Sequence, residues 1–369
     1  MGASKIFKIR GIKVYMKKKV AILFGGNSSE YEVSCLSAAG IAKNIDKEKF
    51  DFVMVGISQK GDWLLTNAGI EEIANGTWHK DVKNLDVTLS LNHKYPGVYV
   101  LDAAKNNFIK VDCIFPIIHG KTGEDGSIQG VMQLSGIPYV GCGIQSSVTG
   151  FDKTLTKKIV EELGVLQAKS LTIYADELID DNHLARINSF FDNKYPLFVK
   201  PAREGSSIGI SKVNKFDELK TAINEGFLYD TKLLIEEGIE GREIEIAVLG
   251  NKEIKLSKVG EIIANDNFYS YEAKYKSNKS KTSILTELPE EIYKKIKNSA
   301  MIIYKRLECK DLARVDFFLK ENGDVVFNEI NTMPGFTPIS MYPKLWESCG
   351  IKYKELISKL IENAIAGNR

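Results

Sequence analysis

Short apolar runs closed by glycine or proline alternate along this chain with stretches of helical periodicity. Residues 19–24 (Lys-Val-Ala-Ile-Leu-Phe) are apolar almost without interruption and end in Gly25-Gly26. That is the pattern of a parallel strand buried on both faces and running into a tight turn. Val33, Leu36, Ile41 and Ile45 then recur at helical spacing, and residues 52–57 read as a second strand, so the chain opens as a βαβ unit. Residues 113–118 form another buried strand, which delivers His119-Gly120 at its C-terminal end, where ligands bind in open α/β sheets. Between these, residues 60–108 mix Trp63 and Trp78 with polar positions and predict a small inserted layer with a hairpin near residues 99–108.

Helical periodicity restarts at Phe151, Leu155, Ile159 and Leu163, with Gly164 placed to cap the C-terminus, so a domain boundary is expected near residues 141–147. Residues 196–201 read as a strand stopped by Pro201, residues 210–213 as its return, and residues 232–237 as the next strand. Beyond Gly238, strands at 243–249 and 325–330 flank a long helix over 290–307, and a last helix covers 353–366. The polar stretch 265–281, which contains Tyr271-Glu-Ala-Lys274-Tyr275, has the length of a loop that covers a site; an exposed linker explains it equally well.

A chain of 369 residues exceeds one ordinary core. The expected division is a domain over 16–145, a second over 146–242 and a third over 243–369, with residues 1–15, ahead of Met16, as an extension or tag. The 44% hydrophobic and 27% charged residues describe an ordered globular protein. A net charge of +2 gives no reason to expect nucleic acid or a membrane surface as partner, and no apolar run approaches the roughly 18 residues of a membrane span. The five cysteines are odd in number and widely spaced, which argues against a disulfide framework or a structural zinc site and fits a reducing cytoplasm.

Several constellations carry chemistry. Arg314 and Asp316 share one face of a strand, and Glu329 and Asn331 share one face of the next. A hairpin through residues 321–324 would bring them together, and Asp316, Glu329 and Asn331 are the hard oxygen donors that suit Mg²⁺ bound with nucleotide phosphates. A solvent-facing hairpin is the plain alternative, but the intervening Val315, Phe317, Val326 and Phe327 predict a covered sheet. Lys200 at a strand end, followed by a loop containing Gly205, Ser206, Ser207 and Gly209, offers a point charge, backbone N–H groups and hydroxyls to phosphate oxygens, although the order is not that of a P-loop. Lys153 at a helix start is a second phosphate candidate. Gly25-Gly26-Asn-Ser-Ser-Glu30 lacks the spacing of a dinucleotide turn, and the Glu30 carboxylate suits an ammonium group better than a pyrophosphate.

In chain order the strings GGNSSEYEVS, HGKTGEDGSIQG, VKPAREGSSIG, LIEEGIEGREIEIAVLG, YEAKY, ARVDF and NEINTMPGFTPIS resemble the D-alanine–D-alanine ligase family, over nearly the whole chain from Lys18 to Glu362. The resemblance implies an α/β ATP-grasp fold: an N-terminal parallel-sheet domain followed by two α+β subdomains. It implies an ATP-dependent ligation of two D-alanines through an acyl phosphate for peptidoglycan precursors, in a cytoplasmic homodimer. By resemblance, Lys153, Lys200, Ser206 and Ser207 lie at the ATP phosphates, Glu236, Glu237 and Ile239 border the adenine, and Glu243 lies at the ribose. Asp316, Glu329 and Asn331 hold two Mg²⁺ ions, with Mn²⁺ as a substitute. Glu30 takes the first ammonium group and is linked through Ser206 to Tyr275, and His119 lies near that amino acid. Lys274 and Ser340 serve the transferring phosphate and the second carboxylate, and Arg314 with the Gly335 backbone forms the oxyanion hole.

The acceptor is the open choice. The segment from Gly76 to Asp86 looks like the D-serine-type branch of vancomycin resistance, whereas Met341 stands where that branch typically carries arginine, which favours D-alanine. Pro338-Ile339 departs from the histidine that the short ligases usually carry before the serine. An NAD-dependent oxidoreductase would account for the first βαβ unit but leaves the Asp316 cluster and the Lys200 loop unexplained. A non-catalytic binding protein has no use for an intact acidic cluster beside an arginine. Other ATP-grasp ligases should lack the combination of Glu30, Ser206 and Tyr275.

Overall fold

In the computed structural model the first apolar run becomes a strand, Lys18–Gly25, buried from Val20 onward. The residues described are 6–9, 12–15, 17–102, 108–177, 179–263, 281–285, 287–337 and 339–367. Lys274, Tyr275 and most of the polar stretch around them lie outside these, as does Pro338. Of residues 1–15, the paired strands Ile6–Ile9 and Ile12–Tyr15 are described.

Lys18–Gly25 pairs in parallel with Phe50–Ile57 on one side and Cys113–Ile117 on the other. Helix Tyr31–Asn44 packs on this sheet, as the βαβ pattern predicts. Beyond Phe50–Ile57 the sheet continues antiparallel through Trp63–Thr66, Leu85–Leu89, Gly97–Val100 and Phe108–Lys110. The expected inserted layer is thus an extension of the main sheet. Leu85–Leu89 alternates in burial, and one-sided burial suits an antiparallel strand in that extension rather than a separate layer. The expected hairpin is present, with Tyr99 opposite Phe108. Trp78 fastens the extension: it is fully buried, 4.9 Å from the Phe24 ring centre, and stacked on the bare backbone of Gly56. A glycine inside a strand here permits close approach by an indole.

The second sheet is antiparallel throughout, in the order Ser170–Tyr174, Lys232–Glu237, Leu197–Pro201, Ser211–Val213. Helices Asp181–Phe190 and Phe216–Gly226 cover one face through Leu184, Ile187, Leu219 and Ile223. The third sheet has the order Lys281–Ile284, Lys255–Ile263, Arg242–Leu249, Leu312–Leu319, Val325–Asn331, again all antiparallel. Helix Glu290–Arg306 buries one face, while helix Met341–Ser348 covers part of the other. The periodicity read from Phe151 onward belongs to two helices, Ile144–Phe151 and Lys153–Glu162. Asp152 breaks them, because its carboxylate caps the second helix by accepting from the N–H groups of Thr154 and Leu155. All five cysteines are free, and among the described residues no helix is long and apolar enough to cross a membrane.

Asp311 ties the first sheet's domain to the third sheet. Its buried carboxylate accepts from the Gly141 N–H at 2.9 Å and from the Asn251 amide at 2.8 Å. Burial pushes its pKa up to about 6, against the pull of those two donors and of Lys310. A carboxyl group that is easier to protonate when folded makes the native chain the better proton binder. Its contribution to stability therefore falls as pH rises from about 4 to about 6 and stays lost above that.

Two outcomes are expected. Gly56→Ala, which puts a methyl group inside the Trp78 ring, should cost about 1–3 kcal/mol, read as a lower thermal midpoint; an unchanged midpoint would mean that the indole moves freely. Asp311→Asn should flatten the change in stability between pH 4 and pH 7 by on the order of 2 kcal/mol in denaturant titrations. An unaltered pH profile would show that Asp311 does not titrate in this range.

Candidate active site

Register in the third sheet sets the polar rows of the site. Glu245 lies opposite Asp316, which lies opposite Glu329; one step along, Ala247, Arg314 and Asn331 form the next row. Paired residues share a face, so these side chains converge as the alternation predicts. A bulge refines this. After the Asp316–Glu329 pair the register shifts to Phe317–Phe327, which leaves Asn328 as the extra residue. Without it, Phe327 and Glu329 would share a face. With it, Phe327 packs against Phe317 in the core, ring centres 6.0 Å apart, while Glu329 enters the cleft.

Arg314 grips Asp316 with both prongs of its guanidinium, at 2.8 and 2.7 Å, and its Nε lies 3.1 Å from Glu245. Asn331 donates to the same Asp316 carboxylate at 3.0 Å. Burial opposes the guanidinium charge, but Asp316, Glu245 and Glu329 outweigh it and hold Arg314 well above the ordinary arginine value. Among the described residues no three His, Cys, Asp or Glu side chains gather as a metal site. Asp316, Glu329 and Asn331 offer two carboxylates and one amide, a donor set that fits Mg²⁺, which retains water and phosphate oxygens. The two oxygens of Asp316 have lone pairs enough to serve Arg314 and a divalent ion together.

The second sheet supplies lysines. Lys200 forms an ion pair with Glu236, whose other oxygen lies 3.1 Å from Lys157. Burial would raise the Glu236 pKa, but the two ammonium groups outweigh it and hold it at about 2. Lys153 donates to the Glu204 carbonyl at 2.6 Å, and the Glu204 carboxylate pairs with Lys121. Ser206 and Ser207 both adopt left-handed backbone, at φ 50° and 60°, a cost of roughly 1–2 kcal/mol each that surrounding structure must hold in place.

The first domain contributes Glu30 and His119. Ser206 donates its hydroxyl proton to Glu30, which joins the Lys200 loop to the first domain. Gly120 and Gly205 flank that carboxylate so closely that a Cβ on either would strike it. His119 is buried, with Nδ1 donating to the Met333 carbonyl at 3.2 Å and Nε2 3.3 Å from the Ser37 hydroxyl.

These elements enclose two adjoining clefts. The first has a cavity volume of about 180 Å³ and takes Glu30 and His119 from the first domain, Arg314, Asp316, Glu329 and Asn331 from the third sheet, and Gly335, Ser340 and Met341 from the segment after it. The second has a cavity volume of about 560 Å³ and is lined by Lys200, Ser207, Glu236, Glu237 and Ile239, with Phe198, Phe318 and Phe327 as apolar walls. Lys153, Ser206, Glu243 and Glu329 border both. The described candidates therefore gather in one continuous site; Tyr275 and Lys274 lie outside the described residues. Sequence reasoning missed Lys157, Glu204 and Glu245. Glu245 was readable, since it lies two positions from Glu243 in the same strand. Lys157 lies one turn from Lys153 on the same helix face, and Glu204 carried no periodic signal.

Residues 19–142 match the family model described as D-ala D-ala ligase N-terminus, and residues 159–362 match that described as D-ala D-ala ligase C-terminus. The D-alanine–D-alanine ligase of Caldicellulosiruptor bescii is 48% identical over 356 residues, 96% of each chain. That of Acetivibrio thermocellus is 47% identical over 364 residues, 95% of this chain and 96% of the relative. Among solved structures, the VanG D-Ala:D-Ser ligase from Enterococcus faecalis aligns with a TM-score of 0.84 at 40% identity, over 95% of this chain and 100% of its own. The D-alanine–D-alanine ligase from Coxiella burnetii aligns at 0.83 and 34%, over 95% of this chain and 96% of its own. The parallel-centred first sheet followed by two antiparallel sheets is the ATP-grasp architecture of these neighbours. The chain belongs to the D-alanine–D-alanine ligase family.

Proposed function

We propose that this protein joins two molecules of D-alanine into D-alanyl-D-alanine, converting ATP to ADP and phosphate, as a step in peptidoglycan precursor synthesis. The observation that carries this reading is the pair of adjoining clefts, one rich in carboxylates and one lined by lysine and aromatic groups, with Lys153, Ser206 and Glu243 on their shared border. The nucleotide occupies the second cleft, its base near Glu236, Glu237 and Ile239, its ribose at Glu243 and its phosphates at Lys153, Lys200 and the Ser206–Ser207 backbone. The amino acids occupy the first. The working form is a cytoplasmic homodimer with domains over 16–145, 146–242 and 243–369.

A carboxylate resists attack by an amine, so the first D-alanine must be activated. Its ammonium group faces Glu30, which Ser206 holds in place, and its carboxylate takes the terminal phosphoryl group of ATP, releasing ADP. Lys153 and Lys200 position and partly neutralise that group. Two Mg²⁺ ions, or Mn²⁺, held by Asp316, Glu329 and Asn331 supply further charge neutralisation on the phosphate oxygens when bound. The second D-alanine, seated by Ser340 and Met341, attacks the acyl carbon through its deprotonated amine, and phosphate leaves with the bonding pair. Arg314 and the Gly335 N–H stabilise the oxyanion formed on the way. Asp316 and Glu245 fix the guanidinium from behind, so its donors are oriented before charge develops.

Arg314→Ala should lower kcat by about 10²–10³-fold while the KM for ATP changes little, measured in steady-state assays of ADP release. Arg314→Lys, which keeps the charge but loses the fork, should fall between the two. A raised KM with unchanged kcat would count against the assigned role. The decisive assay for the function adds ATP, Mg²⁺ and D-alanine, then D-alanine with D-serine or D-lactate, and identifies products by mass. D-alanyl-D-alanine from D-alanine alone is expected. Preference for D-alanyl-D-serine, which the structural likeness to the VanG enzyme makes the second reading, would overturn the acceptor assignment alone. Absence of any D-alanine-dependent ADP release would overturn the reading itself.

A further inference from the structure

Lys157 sits one turn after Lys153 on helix Lys153–Glu162 and is 5% exposed. It borders neither cleft. Its ammonium group donates to the Ala168 carbonyl at 3.3 Å and lies 3.1 Å from Glu236 Oε2. Lys200, which does line the nucleotide cleft, pairs with the other oxygen of the same carboxylate. Glu236 is itself 5% exposed, so one buried carboxylate is shared by two lysines, one lining the cleft and one set behind its lining.

We propose that Lys157 is a positioning residue that holds the Glu236 charge permanently and so frees Lys200 to engage nucleotide phosphate. The proposal rests on the nucleotide reading of the second cleft. A cleft-facing lysine serves an incoming anion only as far as it loosens its hold on its own carboxylate. If Lys200 were the sole partner of Glu236, that exchange would strand a buried charge, which is strongly unfavourable. With Lys157 on the opposite oxygen, Glu236 stays compensated throughout. The depressed Glu236 pKa has the same origin, since both ammonium groups act on it. The helix that carries Lys153 to the phosphates thus also carries, one turn on, the cation that releases Lys200 to them.

The test is equilibrium binding of ATP and of adenosine to the full chain by titration calorimetry, with folding checked by circular dichroism. Lys157→Met should weaken ATP binding about tenfold or more, because Glu236 then retains Lys200, and should leave adenosine binding unchanged, because adenosine has no phosphates. Lys157→Arg, which keeps a buried cation, should bind ATP as the wild type does. Unchanged ATP affinity in Lys157→Met would overturn the proposal. So would an equal loss for ATP and adenosine. Failure of the wild type to bind either ligand would instead remove the nucleotide reading beneath it.

Discussion

The site depends on charge buried on one face of an antiparallel sheet. Arg314 lies in the middle of that face, held by both oxygens of Asp316 and by Glu245. A guanidinium so deep would be costly alone, and so would each carboxylate. Together they set one another's orientation. Asn331 completes the arrangement by donating to Asp316, which leaves the carboxylate fully engaged from the sheet side and turned toward the cleft. The rows exist because Glu245, Asp316 and Glu329 are in register across three strands. The Asn328 bulge keeps Glu329 in that row while Phe327 remains in the core.

Around that fixed face, the other parts of the site are joined by polar links and, toward the first sheet, by a shared apolar core. Glu30 reaches the Lys200 loop through Ser206, and Asp311 reaches the first domain through the Gly141 N–H. The first and third sheets share one hydrophobic cluster, in which the Phe115 and Phe336 ring centres lie 5.9 Å apart, whereas the second sheet has a cluster of its own, so the cleft is assembled between a fused body and a separately packed one. The two left-handed serines belong to this assembly. Their conformation is unfavourable for residues with a Cβ, and it places the Ser206 hydroxyl against Glu30 beside Gly120 and Gly205. The loop thus borders both clefts, with Ser206 on their shared edge and Ser207 in the second.

Much of this was legible in the sequence where a single strand or helix decides the outcome. The run at residues 19–24, the periodicity of helix Glu290–Arg306 and the alternation of Glu329 with Asn331 each appear as read. What the sequence concealed depends on partners far along the chain. Leu85–Leu89 has too few residues to declare which sheet it joins, and only pairing with Trp63–Thr66 decides that. The break at Asp152 was hidden because the apolar spacing runs through it, while the cap depends on one carboxylate turning back. Lys157 reads as a surface lysine on any helical wheel. Its burial follows from Glu236, nearly eighty positions away, and no local pattern announces it.

The acceptor end of the cleft shows the same dependence. Met341 is named by its place after Ser340, but its position is set by Gly260 in the strand Lys255–Ile263. A Cβ there would overlap the Met341 thioether, so the absent side chain is the seat on which the methionine rests. Ile262, on the same face of that strand, lines the cleft beside it. The wall proposed to meet the second substrate is thus apolar at Met341 and Ile262, while Thr282, paired with Ile262 on the next strand, brings a hydroxyl to the same cleft. Against the Met341 thioether itself an acceptor hydroxyl would exchange water for a weak sulfur partner, whereas a methyl group loses nothing. On the proposed acceptor assignment, a preference for D-alanine over D-serine would reside in the glycine that seats the methionine as much as in the methionine itself.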